Sequence, residues 1–212
     1  MTWRLRPIVV AGLLAGVPVG VATAAASLSK VVLRGAQVGP GYVLKLRPDS
    51  HGVSSTVTLD MCGTTFHSEG LRTARLQVNY SKRGSQLGVS NEVVTYHGTG
   101  AQLAMNEIRR SVADCPKTPV GSAIAGVGKL TYRITHIAKT HGLLPGAIAL
   151  LMHISGTIKA HHLTVTQAVV YERYGNVLSG IYGNGRPLVA QAQLVLHAAA
   201  ESAINLHRYA AR

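Results

Sequence analysis

The sequence has few acidic residues, few large aromatic residues and only two cysteines. Eight Asp and Glu residues oppose 21 Lys and Arg residues, which gives a net charge of +13. Such an excess predicts an anionic neighbour: nucleic acid, lipid headgroups or an acidic wall polymer. One Trp and one Phe offer little surface for base stacking, and the basic residues are scattered along the chain, which argues against nucleic acid.

Signatures of known enzyme classes are also missing. No Gly-x-Ser-x-Gly elbow occurs, and Gly183-Asn184-Gly185 lacks the third glycine of a dinucleotide fingerprint. With eight acidic residues in all, a paired-carboxylate site would need two of them brought together by folding. We therefore predict a non-catalytic protein, and the alternative is a hydrolase whose site is assembled from loops.

Histidine, by contrast, is plentiful, with ten residues. His153, His161 and His162 are near one another in sequence, yet the nearest acids, Asp114 and Glu172, are distant from them. Zinc sites usually hold three or four ligands together, often with a carboxylate beside them. We predict no metal and no cofactor. Protonation of these histidines below about pH 6.5 predicts tighter binding to an acidic surface in acid.

The N-terminus has the pattern of an export signal. Arg4 and Arg6 precede an apolar stretch, and small residues at 22–26 fit a signal peptidase site. The alternative is an uncleaved membrane anchor, because no charge occurs between Pro7 and Ser29. We predict a signal peptide or anchor over 1–26, an N-terminal segment over 27–54 and one domain over 55–212. Either form places the protein outside the cytoplasm, secreted or on the outer face of the membrane.

Export agrees with a disulfide between Cys62 and Cys115. Two thiols in an exported chain usually pair. A loop of this length would stabilise the fold by about 4 kcal/mol in the chain-entropy model. A catalytic cysteine is the alternative, but nothing in the sequence would protect an exported nucleophile from its neighbouring thiol.

Hydrophobic periodicity predicts an α+β domain with a mainly antiparallel, twisted sheet of about six to seven strands, flanked by two main helices. Thr99 and Gln102 resemble a capping box that opens a helix ending before Pro116. A long final helix starts at Pro187, and Gly175-Asn176 predicts a tight hairpin turn. The strands are predicted over 57–61, 73–81, 91–97, 130–135, 148–155, 163–174 and 177–182.

Several short motifs follow one another in a fixed order: Leu59-Asp60-Met61-Cys62-Gly63, Ser68 to Arg75, Ser90 to Val94, Cys115-Pro116 and Tyr171 to Val177. Through them the chain resembles the extracytoplasmic sensor domain of actinobacterial PknH-type serine/threonine kinases and its stand-alone secreted forms. The resemblance covers about residues 55–210 and implies an antiparallel sheet, flanking helices and a cleft for a small or lipidic ligand. Those kinase domains typically carry two disulfides, whereas this chain can form one. A signalling role would require a partner protein.

Four tyrosines fall on the C-terminal strands. Tyr132, Tyr171, Tyr174 and Tyr182 either pack beneath a helix or line a cleft that offers apolar rings with polar tips. We name these four as the candidate ligand-binding residues. The predicted function is an envelope-associated, sensor-like binding protein whose basic surface adjoins anionic lipid or wall polymer. A structural envelope protein without a ligand is a further alternative.

Overall fold

The computed structural model describes residues 28–45, 52–54, 56–138, 141–158 and 161–210. The predicted signal peptide or anchor over 1–26 lies outside the described residues. No helix within the described ranges has both the length and the hydrophobicity needed to cross a bilayer.

The centre of the fold is a seven-stranded sheet in which every neighbouring pair is antiparallel. Its spatial order is β1-β2-β3-β7-β6-β5-β4. This confirms the predicted α+β class and strand number. The strands are β1 Tyr42–Leu44, β2 Arg72–Lys82, β3 Gly88–Tyr96, β4 Val127–His136, β5 Ile148–Ile158, β6 His161–Tyr174 and β7 Val177–Asn184.

Two long helices flank the sheet, as predicted. They are α2, Gly100–Ala113, and α3, Leu188–Ala210; a short helix α1, Gly35–Val38, and a 3-10 turn, His67–Leu71, are further helical elements. The predicted capping box of α2 is wrong, because Thr99 occupies the N-cap without a side-chain hydrogen bond. Apolar residues on one stripe of each helix face the sheet, which places one helix on each side.

The two sides of the sheet carry separate cores. Ala168 and Val170 of β6 face α3 and the segment 28–38, whereas Val169 and Tyr171 of the same strand face α2. This separation follows from the pleat of a strand, in which successive side chains point to opposite faces. We call these two layers the α3 side and the α2 side.

Hydrogen bonds fix the segment 28–38 on the α3 side. The buried Asn205 of α3 donates from Nδ2 to the carbonyl oxygens of Val31 and Val32 at 3.2 and 3.4 Å. The amide of Leu33 donates to Asn91 Oδ1 at 3.0 Å, and Tyr80 Oη donates to the Leu33 carbonyl at 2.8 Å. The segment therefore forms part of the core beneath α3.

On the α2 side, a disulfide joins Cys62 to Cys115 with their Cα atoms 5.1 Å apart, which confirms the predicted pairing. The strand predicted over 57–61 is wrong. The amides of Thr58 and Leu59 donate to the Glu69 carboxylate at 3.0 and 3.2 Å, in place of a neighbouring strand. This stretch is an irregular segment that covers one edge of the α2 side.

Candidate ligand-binding groove

An open groove lies on the α2 side, where α2 covers only one end of the sheet. Its volume is about 780 Å³, within the range of small-molecule sites. Two loop segments, 56–60 and 123–125, form its rim. The strand residues that form its floor are Arg75, Gln77, Asn79, Ser90, Glu92, Met152, Ile154, Gln167, Val169, Tyr171, Tyr182 and Asn184.

One half of the floor is polar and comes from β2 and β3. Arg75 donates to Gln77 Oε1 at 2.7 Å, and Gln77 Nε2 donates to Ser90 Oγ at 2.8 Å. Ser90 Oγ in turn donates to Asn79 Oδ1 at 2.6 Å. These side chains are neighbours because the β2–β3 register places Gln77 opposite Glu92 and Asn79 opposite Ser90. The result is a continuous row of hydrogen-bonding groups along the floor.

A buried ion pair stands at one end of this row. Arg75 and Glu92 are each about 5% exposed, and the Arg75 Nε donates to Glu92 Oε1. Burial raises the pKa of the Glu92 carboxyl, and the Arg75 guanidinium opposes that shift. Thr58 Oγ1 of the rim also donates to Glu92 Oε1 at 3.0 Å. The pair therefore adds polarity to the floor while contributing no net charge.

A second ion pair joins the rim to the sheet. Arg72 Nη1 donates to Thr58 Oγ1 at 3.0 Å, and Arg72 Nη2 lies 3.2 Å from Glu69 Oε2. Burial raises the pKa of Glu69, and the amides of Thr58 and Leu59 together with Arg72 oppose the increase. These contacts hold the first rim segment, 56–60, in place over the floor.

The second rim segment is attached to the first through Asp60. Ser122 Oγ donates to Asp60 Oδ2, and the amide of Ala123 donates to Asp60 Oδ1 at 3.1 Å. Ile124 then lies at the groove edge with 48% of its surface exposed. The rim consequently combines one anchored carboxylate with one exposed apolar side chain.

The other half of the floor comes from β5, β6 and β7 and is mainly apolar, with Gln167 and Asn184 as its polar members. Tyr171 and Tyr182 pack edge to face with ring centroids 5.9 Å apart, a favoured aromatic geometry. Burial raises the pKa of both phenols well above the ordinary value, so both stay neutral and can donate hydrogen bonds. With Met152, Ile154 and Val169 they form an apolar surface beside the polar row.

The four predicted tyrosines do not share one site. Tyr171 and Tyr182 line the groove. Tyr132 is buried in the same core and borders a separate depression with Lys117 and His153; burial raises its pKa to about 12. Tyr174 lies on the α3 side, where its ring is 4.6 Å from that of His207. Because Tyr171 and Tyr174 are three residues apart on one strand, they face opposite sides.

Sequence reasoning missed the polar half of the groove. Arg75, Gln77 and Asn79 are the polar members of the alternation in β2, a pattern that by itself indicates only a half-buried antiparallel strand. The structure places these side chains opposite Glu92 and Ser90, with loops above them. A signal was present, since three long polar side chains at two-residue spacing next to an apolar strand face predict either a solvated face or a polar site.

A buried carboxyl on the α3 side stands apart from the groove. Glu172 is fully buried; its Oε1 accepts the Leu144 amide at 2.9 Å, and its Oε2 has no hydrogen-bond partner among the described residues. Burial raises its pKa to about 7. Among the described residues, no three His, Cys, Asp or Glu side chains are grouped so as to hold a metal ion.

No family model matches the sequence, and no curated protein matches it. Among solved structures, the extracellular domain of PknH from Mycobacterium tuberculosis is similar at 13% identity and a TM-score of 0.52, covering 82% of this chain and 93% of that one. An uncharacterised Mycobacterium smegmatis protein aligns at 11% identity and a TM-score of 0.39, over 83% of this chain and 96% of the other. The chain thus has the fold of the PknH extracellular domain, which confirms the fold that the sequence resemblance implied.

Proposed function

We propose that the protein is an extracytoplasmic, sensor-like binding module that holds a small amphipathic ligand in the groove. The observation that carries this proposal is the divided floor, with a hydrogen-bonding row from β2 and β3 on one half and Met152, Ile154, Val169 and two tyrosines on the other. A ligand with a hydroxyl-rich head and an apolar tail would match both halves at once.

The charges of the groove favour a neutral ligand, although the whole chain carries +13. Arg75 is the only cation among the lining residues of this groove in the described chain, and it is paired with Glu92. Asp60 adds a negative charge at the rim. An anionic ligand would meet no free cation there, so the basic surface and the groove serve different partners.

The similarity in fold to a kinase extracellular domain supports a sensor-like role, and the disulfide supports an oxidising compartment outside the cytoplasm. In the groove, both carboxylates serve structural contacts, Glu92 with Arg75 and Asp60 with the amide of Ala123. Binding without catalysis is therefore the function that this geometry favours.

The test is to identify what the full chain carries when it is isolated from the envelope of the cells that make it. We expect native mass spectrometry to show a bound compound of less than about 1 kDa, the size class that a groove of this volume holds. Extraction and fragmentation should then reveal a polar head joined to an apolar tail.

A variant pair makes the test specific to the groove. Gln167→Trp fills the part of the floor that β6 provides, and the Gln167 side chain has no hydrogen-bond partner among the described residues whose loss would confuse the result. Thr164→Trp adds the same side chain to an exposed position on the opposite face of β6. The compound should be lost from Gln167→Trp and retained by Thr164→Trp. An empty wild-type chain, or equal retention by both variants, would overturn the proposal.

A further inference from the structure

A depression lined by three cationic side chains lies on the α3 side, away from the groove. Its volume is about 330 Å³, and its lining residues are Lys30, Arg34, Asn205, Arg208 and Tyr209. All three cationic residues are exposed. Lys30 and Arg34 come from the segment before β1, and Arg208 comes from the last turns of α3. We call this depression the basic pocket.

The cations of the basic pocket have no acidic partner in the described chain. The two ion pairs among the described residues are Arg72–Glu69 and Arg75–Glu92, and neither includes a residue of the basic pocket. The nearest acid on α3, Glu201, accepts a hydrogen bond from Gln37 Nε2 at 3.1 Å and does not line the pocket. Three like charges therefore converge on one depression, an arrangement that an anion would stabilise.

The backbone beneath these side chains is held in place. Asn205, which forms the floor of the basic pocket, donates to the carbonyls of Val31 and Val32 and to Gln37 Oε1 at 3.1 Å. Gln37 Nε2 returns a bond to Asn205 Oδ1 at 3.0 Å. The segment that carries Lys30 and Arg34 is thus fixed to the helix that carries Arg208, so binding would require little ordering of the backbone.

The position of the pocket in the chain indicates the source of the anion. Lys30 and Arg34 are the first charged residues after the uncharged run from Pro7 to Ser29. A chain anchored through that run would hold these residues at the membrane surface, and anionic lipid presents phosphodiester groups at that level. We propose that the basic pocket binds the phosphodiester of an anionic lipid headgroup.

The first probe is glycerophosphoglycerol, the headgroup of phosphatidylglycerol without its acyl chains, titrated into the isotope-labelled full chain in a nonionic detergent. We expect saturable shifts of the amide resonances of Lys30, Arg34 and Arg208. Zwitterionic glycerophosphocholine should bind more weakly. Inorganic phosphate tests free phosphate as the source, and binding as tight as that of the diester would overturn the lipid assignment.

Two matched variants test the residues. Arg34→Gln with Arg208→Gln should weaken binding of glycerophosphoglycerol at least about tenfold, because two charge-assisted contacts are lost. Arg83→Gln with Arg110→Gln removes the same charge from exposed positions outside the pocket and should leave binding unchanged. Equal weakening in both variants would show that only overall charge matters and would contradict the site. Unchanged unliganded spectra elsewhere in each variant verify the fold.

A third arm separates lipid from a soluble polymer of the same chemistry. The full chain is placed in nanodiscs of phosphatidylcholine, with or without phosphatidylglycerol. The amides that shift with the headgroup fragment should shift again only when phosphatidylglycerol is present. Binding of the fragment without any response to phosphatidylglycerol nanodiscs would overturn the lipid assignment.

Discussion

Polar side chains are arranged differently on the two sides of the sheet. On the α3 side, Asn91, Ser179 and Ser202 form hydrogen bonds deep in the core, with Asn91 to Ser179 and Ser179 to Ser202 both at 2.8 Å. On the α2 side, the polar groups form a row along an open floor. The first arrangement fixes a helix to the sheet, whereas the second leaves hydrogen-bonding groups where a ligand can reach them.

Two of the buried glutamates, Glu92 and Glu172, show the same contrast. Glu92 on the α2 side is paired with Arg75, while Glu172 on the α3 side accepts one backbone amide and has an unpartnered oxygen among the described residues. Burial raises the pKa of both carboxyls. The α2 side thus contains a neutralised pair beside the groove, and the α3 side contains a carboxyl whose pKa is raised to about 7.

Removal of the disulfide should have the largest effect on stability. Cys62→Ala with Cys115→Ala opens a loop with a sequence separation of 53. The chain-entropy model then predicts a loss of about 4 kcal/mol in the free energy of unfolding. Urea denaturation measures this loss, and the reduced wild-type chain is the control. A loss below about 1 kcal/mol would show that packing on the α2 side, and not the covalent link, limits unfolding there.

Breaking the ion pair of the groove should cause the second-largest loss of stability. Arg75→Met leaves Glu92 buried without its cation, and we expect a loss of about 3 kcal/mol near neutral pH. The loss should shrink in acid, because protonation removes the uncompensated charge. The double variant Arg75→Met with Glu92→Leu should recover most of the stability. Equal losses in the single and double variants would contradict the assignment of Glu92 as the charge that Arg75 neutralises.

Substitution of the buried Glu172 on the α3 side should have the third-largest effect on stability. Unlike the two changes above, it should raise the free energy of unfolding at a pH above 7. The pKa of Glu172 is raised from 4.5 to about 7, so the folded state binds its proton more tightly than the unfolded state does. Its contribution to stability is complete below about pH 4.5 and is lost as the pH rises through 7.

Glu172→Gln mimics the protonated form at every pH. The shift corresponds to about 3 kcal/mol, and an amide without a second partner costs about 1 kcal/mol. At pH 8 we therefore expect a net gain of about 2 kcal/mol, while below pH 5 the variant should equal or fall below the wild type. Chemical denaturation across this range measures the difference. A difference that does not vary with pH would contradict the raised pKa.

A pair of tyrosine variants gives the smallest expected effect. The hydroxyl of Tyr96 on the α2 side is buried without a hydrogen-bond partner among the described residues, whereas Tyr80 on the α3 side donates to Leu33. Tyr96→Phe should leave stability unchanged or raise it by up to about 1 kcal/mol, and Tyr80→Phe should lower it by about 1 kcal/mol. Thermal unfolding followed by circular dichroism measures both changes. Equal losses would contradict the difference in polar contacts between the two sides.

The hydrophobic pattern within each segment predicted the long helices and most strands of the fold. The alternation from Ala74 to Tyr80 predicted β2, and the apolar stripe after Pro187 predicted α3, because each reports which face of one element is buried. The same alternation over 57–61 predicted a strand that does not form. Its amides bind the carboxylate of Glu69, a contact that depends on the turn at His67–Leu71 and not on the periodicity of the segment itself.

The site was harder to predict because it depends on register between distant strands. Tyr182 lies opposite Val169, and Ser90 lies opposite both Asn79 and Tyr182. No periodicity within one strand specifies these pairs. The spacing of Tyr171 and Tyr174 was visible in the sequence. Because they are an odd number of residues apart, assigning both to one strand places their side chains on opposite sides of the sheet.

Hydrogen exchange tests the division between the two sides most directly. The full chain is incubated with the neutral lipid fraction of its own cell envelope, from which anionic compounds have been removed, and deuterium uptake is measured by mass spectrometry. We predict slower exchange in peptides that cover 56–60 and 121–126, where the rim amides lie, and no change in 28–38 or 188–210. Protection confined to α3 and the segment 28–38, or no protection at all, would contradict ligand binding on the α2 side.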